Sequence, residues 1–187
     1  MFIQTELTPN PLSIKFLPGK EVNPKSPINF TSRDDCTISP LAKALFSNVN
    51  VTGVFFGKDF ITITKSENAN WDVLKPDILL TMMEHFTSGA PLIIESDGVH
   101  KDTEILETDS DIVAQIKEII EHRVRPAVAQ DGGDIIFHSF ENGIVKLKLQ
   151  GSCSGCPSSS ITLKNGIESM LKHYVPEVES VEAVDGV

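Results

Sequence analysis

Hydrophobic positions along the chain switch between a period of two and a period near 3.6, and each switch marks a new element. Phe2, Gln4 and Glu6 alternate with their neighbours, and Ser13 to Leu17 resumes after Thr8-Pro9-Asn10-Pro11. This predicts two short strands about a proline-fixed turn. Asn23-Pro24-Lys25-Ser26-Pro27 reads as a loop. Ser39-Pro40 supplies an N-cap and a first-turn proline for a short helix through Leu41, Ala42, Leu45 and Phe46. Val49 to Phe56 and Phe60 to Lys65 are β-rich runs joined by Gly57-Lys58-Asp59, a hairpin. Pro76 suits the first turn of a second helix. Its stripe would be Leu79, Met82, Met83 and Phe86, and Gly89 would close it.

Periodicity then lapses. Residues 96 to 110 are polar and acidic, with Glu104, Glu107 and Asp109, and His100 reads as solvated. Beyond them Asp109 or Ser110 caps a long helix whose apolar face is Ile112, Ile116, Ile120, Val124 and Val128, widened by Val113, Ile119 and Ala127. Pro126 should kink or split that helix. Gln130-Asp131-Gly132-Gly133-Asp134 has too few ligands for a calcium loop, so its glycines read as a helix stop and strand entry. Two strands follow around Glu141-Asn142-Gly143. In the first, Ile135 and Phe137 oppose Ile136, His138 and Phe140. In the second, Val145, Leu147 and Leu149 face in, and Lys146, Lys148 and Gln150 face out. After a glycine- and serine-rich cysteine loop, Ile161, Leu163, Ile167, Met170, Leu171 and Tyr174 mark another helix. Pro176 ends it, and Val178 to Val184 forms a last strand. The fold class is therefore α+β: two small α+β domains at 1–92 and 110–187, joined by an acidic linker at 93–109. The second domain runs helix-strand-strand-helix-strand.

Charge narrows the functions open to this fold. A net charge of −10 repels phosphates and argues against nucleic acid as a partner. No apolar run approaches the ~20 residues that cross a bilayer, so no membrane partner is expected. The first residues carry an acid and no arginine, unlike a secretory signal or a mitochondrial presequence. Three unevenly placed cysteines suit a reducing compartment, and cytoplasm is the expected location.

The candidate chemistry lies in Gly151-Ser152-Cys153-Ser154-Gly155-Cys156-Pro157-Ser158-Ser159-Ser160. At C-x-x-C spacing both sulfurs can reach one metal ion or each other. A loop between a strand end and a helix start should lower its thiol pKa values and favour thiolate. Soft-metal sites want four thiolates, and two copies with apposed loops would supply them, two per chain. Spacing does not choose between iron–sulfur and zinc. A thiol–disulfide oxidoreductase and a structural zinc-binding module therefore stay open. Cys36, alone in Arg33-Asp34-Asp35-Cys36-Thr37, reads as a small buried residue, and His173 as a helix C-terminal cation.

The motif Gln130-Asp131-Gly132-Gly133-Asp134, followed by the Cys153 and Cys156 loop, resembles the C-terminal domain of NifU and the Nfu proteins. Ile3-Gln4-Thr5-Glu6-Leu7-Thr8-Pro9-Asn10-Pro11 with Lys15-Phe16-Leu17-Pro18-Gly19 resembles the Nfu N-terminal domain. The resemblance implies a non-enzymatic iron–sulfur cluster scaffold or carrier. It implies that Cys153 and Cys156 are iron ligands of a labile [4Fe–4S] cluster bridging a homodimer. A [2Fe–2S] form suits four thiolates equally. Implied partners are apo iron–sulfur proteins as acceptors and upstream cluster-assembly proteins, with the first domain a client-docking candidate. Lacking a visible presequence, the chain resembles bacterial members more than a mitochondrial precursor.

Overall fold

The computed structural model describes residues 2–23, 25–94, 110–155 and 157–184. Most of the expected linker, His100 and Cys156 lie outside them. The chain forms two compact α+β units, Met1–Val99 and His100–Val187.

The first unit is a five-stranded antiparallel sheet in the order β1-β2-β5-β4-β3. Its strands are β1 (Gln4–Leu7), β2 (Ser13–Leu17), β3 (Ile28–Phe30), β4 (Val51–Phe56) and β5 (Ile61–Lys65). Helices α1 (Pro40–Leu45) and α2 (Trp71–Ser88) bury Leu41, Leu45, Leu74, Ile78 and Met82 with Phe16, Phe30, Phe56 and Ile63 of the sheet. The Ser39 hydroxyl caps α1 by accepting from Ala42 N–H at 3.1 Å. The sequence reading missed β3 and a 3-10 turn at Asp34–Ile38, both too short to show a period.

Two expectations about α2 are corrected. Asn70 Oδ1 caps it by accepting from Asp72 N–H at 2.9 Å, so Pro76 falls in the second turn rather than the first. The buried row is Leu74, Ile78 and Met82, with Leu79 and Phe86 beside it, and Met83 is 40% exposed. Gly89, at φ +70°, closes the helix as expected.

The second unit sets helices on a three-stranded sheet in the order β6-β7-β8. Ser110 caps α3 (Asp111–Ile119), which runs through a π turn at Ile120–Val124 into α4 (Arg125–Gln130). The π turn is the form the expected proline break takes. Pro126 has no N–H for the carbonyl four residues back and its ring would strike it, so the preceding turn widens and Arg125 N–H bonds Ile120 O instead. Ile116, Ile120, Val124 and Val128 are buried as expected, whereas Ala127 is exposed.

Strand β6 (Gly133–Glu141) pairs antiparallel with β7 (Ile144–Gly151). The turn between them holds Asn142 and Gly143 at positive φ, the geometry that matches strand twist. A bulge at His138 corrects the expected alternation, because Phe137 pairs with Leu147 and Phe140 with Val145. Phe140 thus shares the inner side with Phe137 rather than opposing it. Helix α5 (Pro157–Tyr174) packs Ile167 and Leu171 on the sheet and delivers the chain to β8 (Ser180–Val184), parallel to β7. Ile161 and Tyr174, expected inside, are 60% and 44% exposed. Ile161 lies about 120° round the helix from Ile167, and the Tyr174 ring lies 4.7 Å from the Arg123 guanidinium.

Candidate metal centre

The register of β6 against β7 sets Gly133 opposite Gly151, which brings the Asp131-Gly132-Gly133 turn beside the cysteine loop. Ser152 fastens the two. Its N–H donates to Gly132 O at 3.2 Å and its hydroxyl donates to Asp131 O at 2.5 Å. Cys153 N–H donates to Gln150 O at 3.3 Å, and both the N–H and the hydroxyl of Ser154 donate to Gly151 O, at 3.2 and 3.0 Å. Gly132, Gly151 and Gly155 take φ of +81°, +62° and +76°, where a side chain would be strained.

Gly133 carries a second constraint. A methyl group built on it would overlap Cys153 Sγ and come within 2.9 Å of the Gln150 carbonyl. The cysteine side chain therefore occupies the space that this missing side chain leaves. It is 5% exposed and packs in the core of the unit.

That placement corrects the expectation of a ready thiolate. Burial pushes the Cys153 thiol up to about 12. The Ser152 hydrogen bond opposes this, and the carboxylates of Asp131 and Asp134 reinforce it. The loop does sit where chain direction reverses into α5, but desolvation outweighs the favourable end of a helix. Cys156 lies outside the described residues. Cys36 is 1% exposed in the first unit's core, where its thiol donates to Ser32 O at 3.2 Å. Burial and then Asp35 push that thiol up to about 11, against Arg33.

Beneath the loop, Asp134 is clamped by Arg125 through two parallel bonds, Nε to Oδ1 at 2.8 Å and Nη2 to Oδ2 at 2.9 Å. Glu121, one turn before Arg125, accepts from Nη1 at 2.5 Å. The clamp ties α4 to the start of β6, two residues from the turn that Ser152 grips. Gln150, expected outside, is 8% exposed, and its Oε1 has no partner among the described residues. Reading the sequence missed Gly133, Asp131, Asp134 and Arg125 as builders of the loop. The adjacent glycines followed by an acid are the visible signal, which the sequence presents as a helix stop, a strand entry and part of the family resemblance. Among the described residues, no three His, Cys, Asp or Glu side chains gather to hold a metal ion.

A NifU-like α+β unit with a C-x-x-C loop, preceded by a separate α+β unit, is the class that fold and site define. Residues 116–182 match the NifU-like domain, and residues 3–89 match the N-terminal domain of the scaffold protein Nfu/NifU. The chain belongs to the Nfu/NifU-like iron–sulfur cluster scaffold family. A Drosophila ananassae relative, named NFU1 iron-sulfur cluster scaffold homolog, mitochondrial, is 56% identical over 185 residues, covering 98% of this chain and 64% of its own. NifU-like protein 5, mitochondrial, of Arabidopsis thaliana is 54% identical, covering 97% of this chain and 67% of its own. A solution structure of a NifU-like protein from Saccharomyces cerevisiae is 26% identical and covers 51% of this chain and 87% of its own, with a TM-score of 0.47.

These relatives overturn the expected bacterial, cytoplasmic location, since the fly and plant proteins are both named as mitochondrial. The chain spans less than two thirds of the fly relative's length, so its first residues do not report on a leader. No helix among the described residues is long and apolar enough to cross a membrane.

Proposed function

We propose that this chain carries an iron–sulfur cluster as cargo, held between two copies by Cys153 and Cys156 of each and passed to apo-proteins. The observation that carries the reading is the cysteine loop itself: a turn fastened at Ser152 to the Gly132-Gly133 turn, with Cys153 in it and Cys156 three residues on in the sequence, and no group of three His, Cys, Asp or Glu side chains that could hold a metal ion among the described residues. Two thiols are half of the four that an iron–sulfur cluster takes, so holding one requires a second chain. Loading then favours the dimer and release disfavours it by mass action. A [4Fe–4S] cluster is the form proposed.

The thiols must lose their protons to bind iron, and a thiol raised as far as Cys153 ionises only as iron binds it, its proton being released to solvent. The same burial leaves Cys153 of the free chain a poor nucleophile. This counts against the dithiol-exchange alternative, which needs an exposed, low-pKa sulfur. Donors to the loop are proposed to be upstream assembly proteins, and the first unit is proposed to dock the acceptors.

Anaerobic reconstitution with iron and sulfide tests the reading, with metal, sulfide and molecular mass measured together. The expected product is a brown, oxygen-sensitive dimer with about four irons per two chains. Cys153→Ser and Cys156→Ser should each abolish it. A colourless chain carrying half an equivalent of zinc would establish the zinc-module alternative instead. A full cluster in either variant would overturn the ligand assignment.

A further inference from the structure

We infer that the outward side of α2 docks an amphipathic helical segment of a partner protein, with lysine or arginine along its flanks. This deepens the reading of the first unit as a docking module, and it rests on that reading only for the partner's being an acceptor. Helix α2 is apolar on two opposite sides. One carries Leu74, Ile78 and Met82 into the core. The other carries Val73, Leu80 and Met83, exposed by 69%, 59% and 40%. Their i, i+7, i+10 spacing lines them up along about 15 Å of helix. Scattered exposed apolar residues need no explanation, but a row along one helix is the ridge into which another helix packs.

Charge selects the occupant. Asp72 borders the row on one side and Asp77 and Glu84 on the other, all exposed, while the helix's one lysine, Lys75, falls toward the core. An apolar ridge between carboxylates fits an apolar stripe between cations. A second copy of this chain would bring the same carboxylates against them. Residues 96–111 of the chain, with six acids and one lysine, have the wrong sign as well.

The test titrates the full-length chain, isotopically labelled for amide spectra, with a 14-residue amphipathic peptide of leucine and lysine. The same peptide with glutamate for lysine is the control, and both are run at 0.15 M salt. Saturable shifts centred on Val73, Leu80 and Met83 are expected from the lysine peptide alone. Leu80→Gln should weaken binding at least tenfold, and Asp77→Asn with Glu84→Gln should weaken it and flatten its salt dependence. These positions are exposed, so the variants fold. Shifts spread over other acidic surfaces, equal binding of the glutamate peptide, or unchanged affinity in Leu80→Gln would each overturn the inference. So would a self-association of the chain that Leu80→Gln abolishes. Iron content after reconstitution is read on the same variants and should be unchanged, which separates failure of this surface from failure of the cluster-carrier reading.

Discussion

The ligand role proposed for Cys153 sets two opposed demands, since a ligand needs an accessible, ionised sulfur and this one is packed and protonated. Gly133 makes the packing possible, so Gly133→Ala should push the sulfur out of its pocket. The expected result is a loss of about 1–3 kcal/mol for overfilling a packed site. It should also accelerate alkylation of Cys153 at pH 8, measured by mass spectrometry in a Cys156→Ser background. In that background without the glycine change, Cys36 and Cys153 should react at least tenfold more slowly than a free thiol, because few of their sulfurs are ionised. The shift also sets a pH dependence. The Cys153 thiol is raised in the folded chain to about 12 from an ordinary value near 9, so its contribution to stability is complete below pH 9. That contribution drains away as pH rises toward 12, by at most ~1.4 kcal/mol per pH unit. Urea denaturation of Cys153→Ala should show only the smaller decline left by Cys36, whose thiol is raised to about 11; a decline identical to that of the unsubstituted chain would refute it.

Among the elements, the long helix and β6 depart most from simple periodicity, and each does so at one residue. Pro126 converts a helix break into a π turn, which keeps Ile120, Val124 and Val128 on the same buried side. His138 is the extra residue of a bulge that returns Phe140 to the core side. Phe140→Ala should therefore destabilise the second unit by about 1–3 kcal/mol, the cost of a partly buried aromatic. His138→Ala should stay within about 0.5 kcal/mol, as exposed positions do. Equilibrium urea denaturation compares the two, and the reverse order would mean that the strand keeps strict alternation. Strict alternation is what the sequence suggested, because a bulge has no compositional mark that a reader of one strand can see. Where an element end is set by local chemistry, the sequence was legible. Ser39 before Pro40, Gly89, Ser110 and Asn142-Gly143 all act as their side chains or positive φ values require.

At the scale of the whole molecule, two units with separate cores divide the labour proposed for the chain. Deleting residues 1–95 should leave iron content after reconstitution intact, because the cysteine loop and the Asp131-Gly132-Gly133 turn that Ser152 grips lie in the second unit. Transfer to at least some acceptors should slow, measured as the rate at which an apo-protein regains its cluster-dependent absorbance. Equal rates for every acceptor would remove the docking role from the first unit.

Sequence alone determined the α+β class, the sites of most strands and helices, and the two cysteines as the candidate chemistry. Each of those rests on spacing and local φ, ψ preference within a few residues. Only the tertiary structure decided what surrounds Cys153. Gly133 meets it from 20 residues upstream, through the pairing of β6 with β7, and Arg125 holds Asp134 of β6 from helix α4. Burial is a property of such distant neighbours. It turned a loop expected to carry thiolate into one that keeps a protonated sulfur packed in the core.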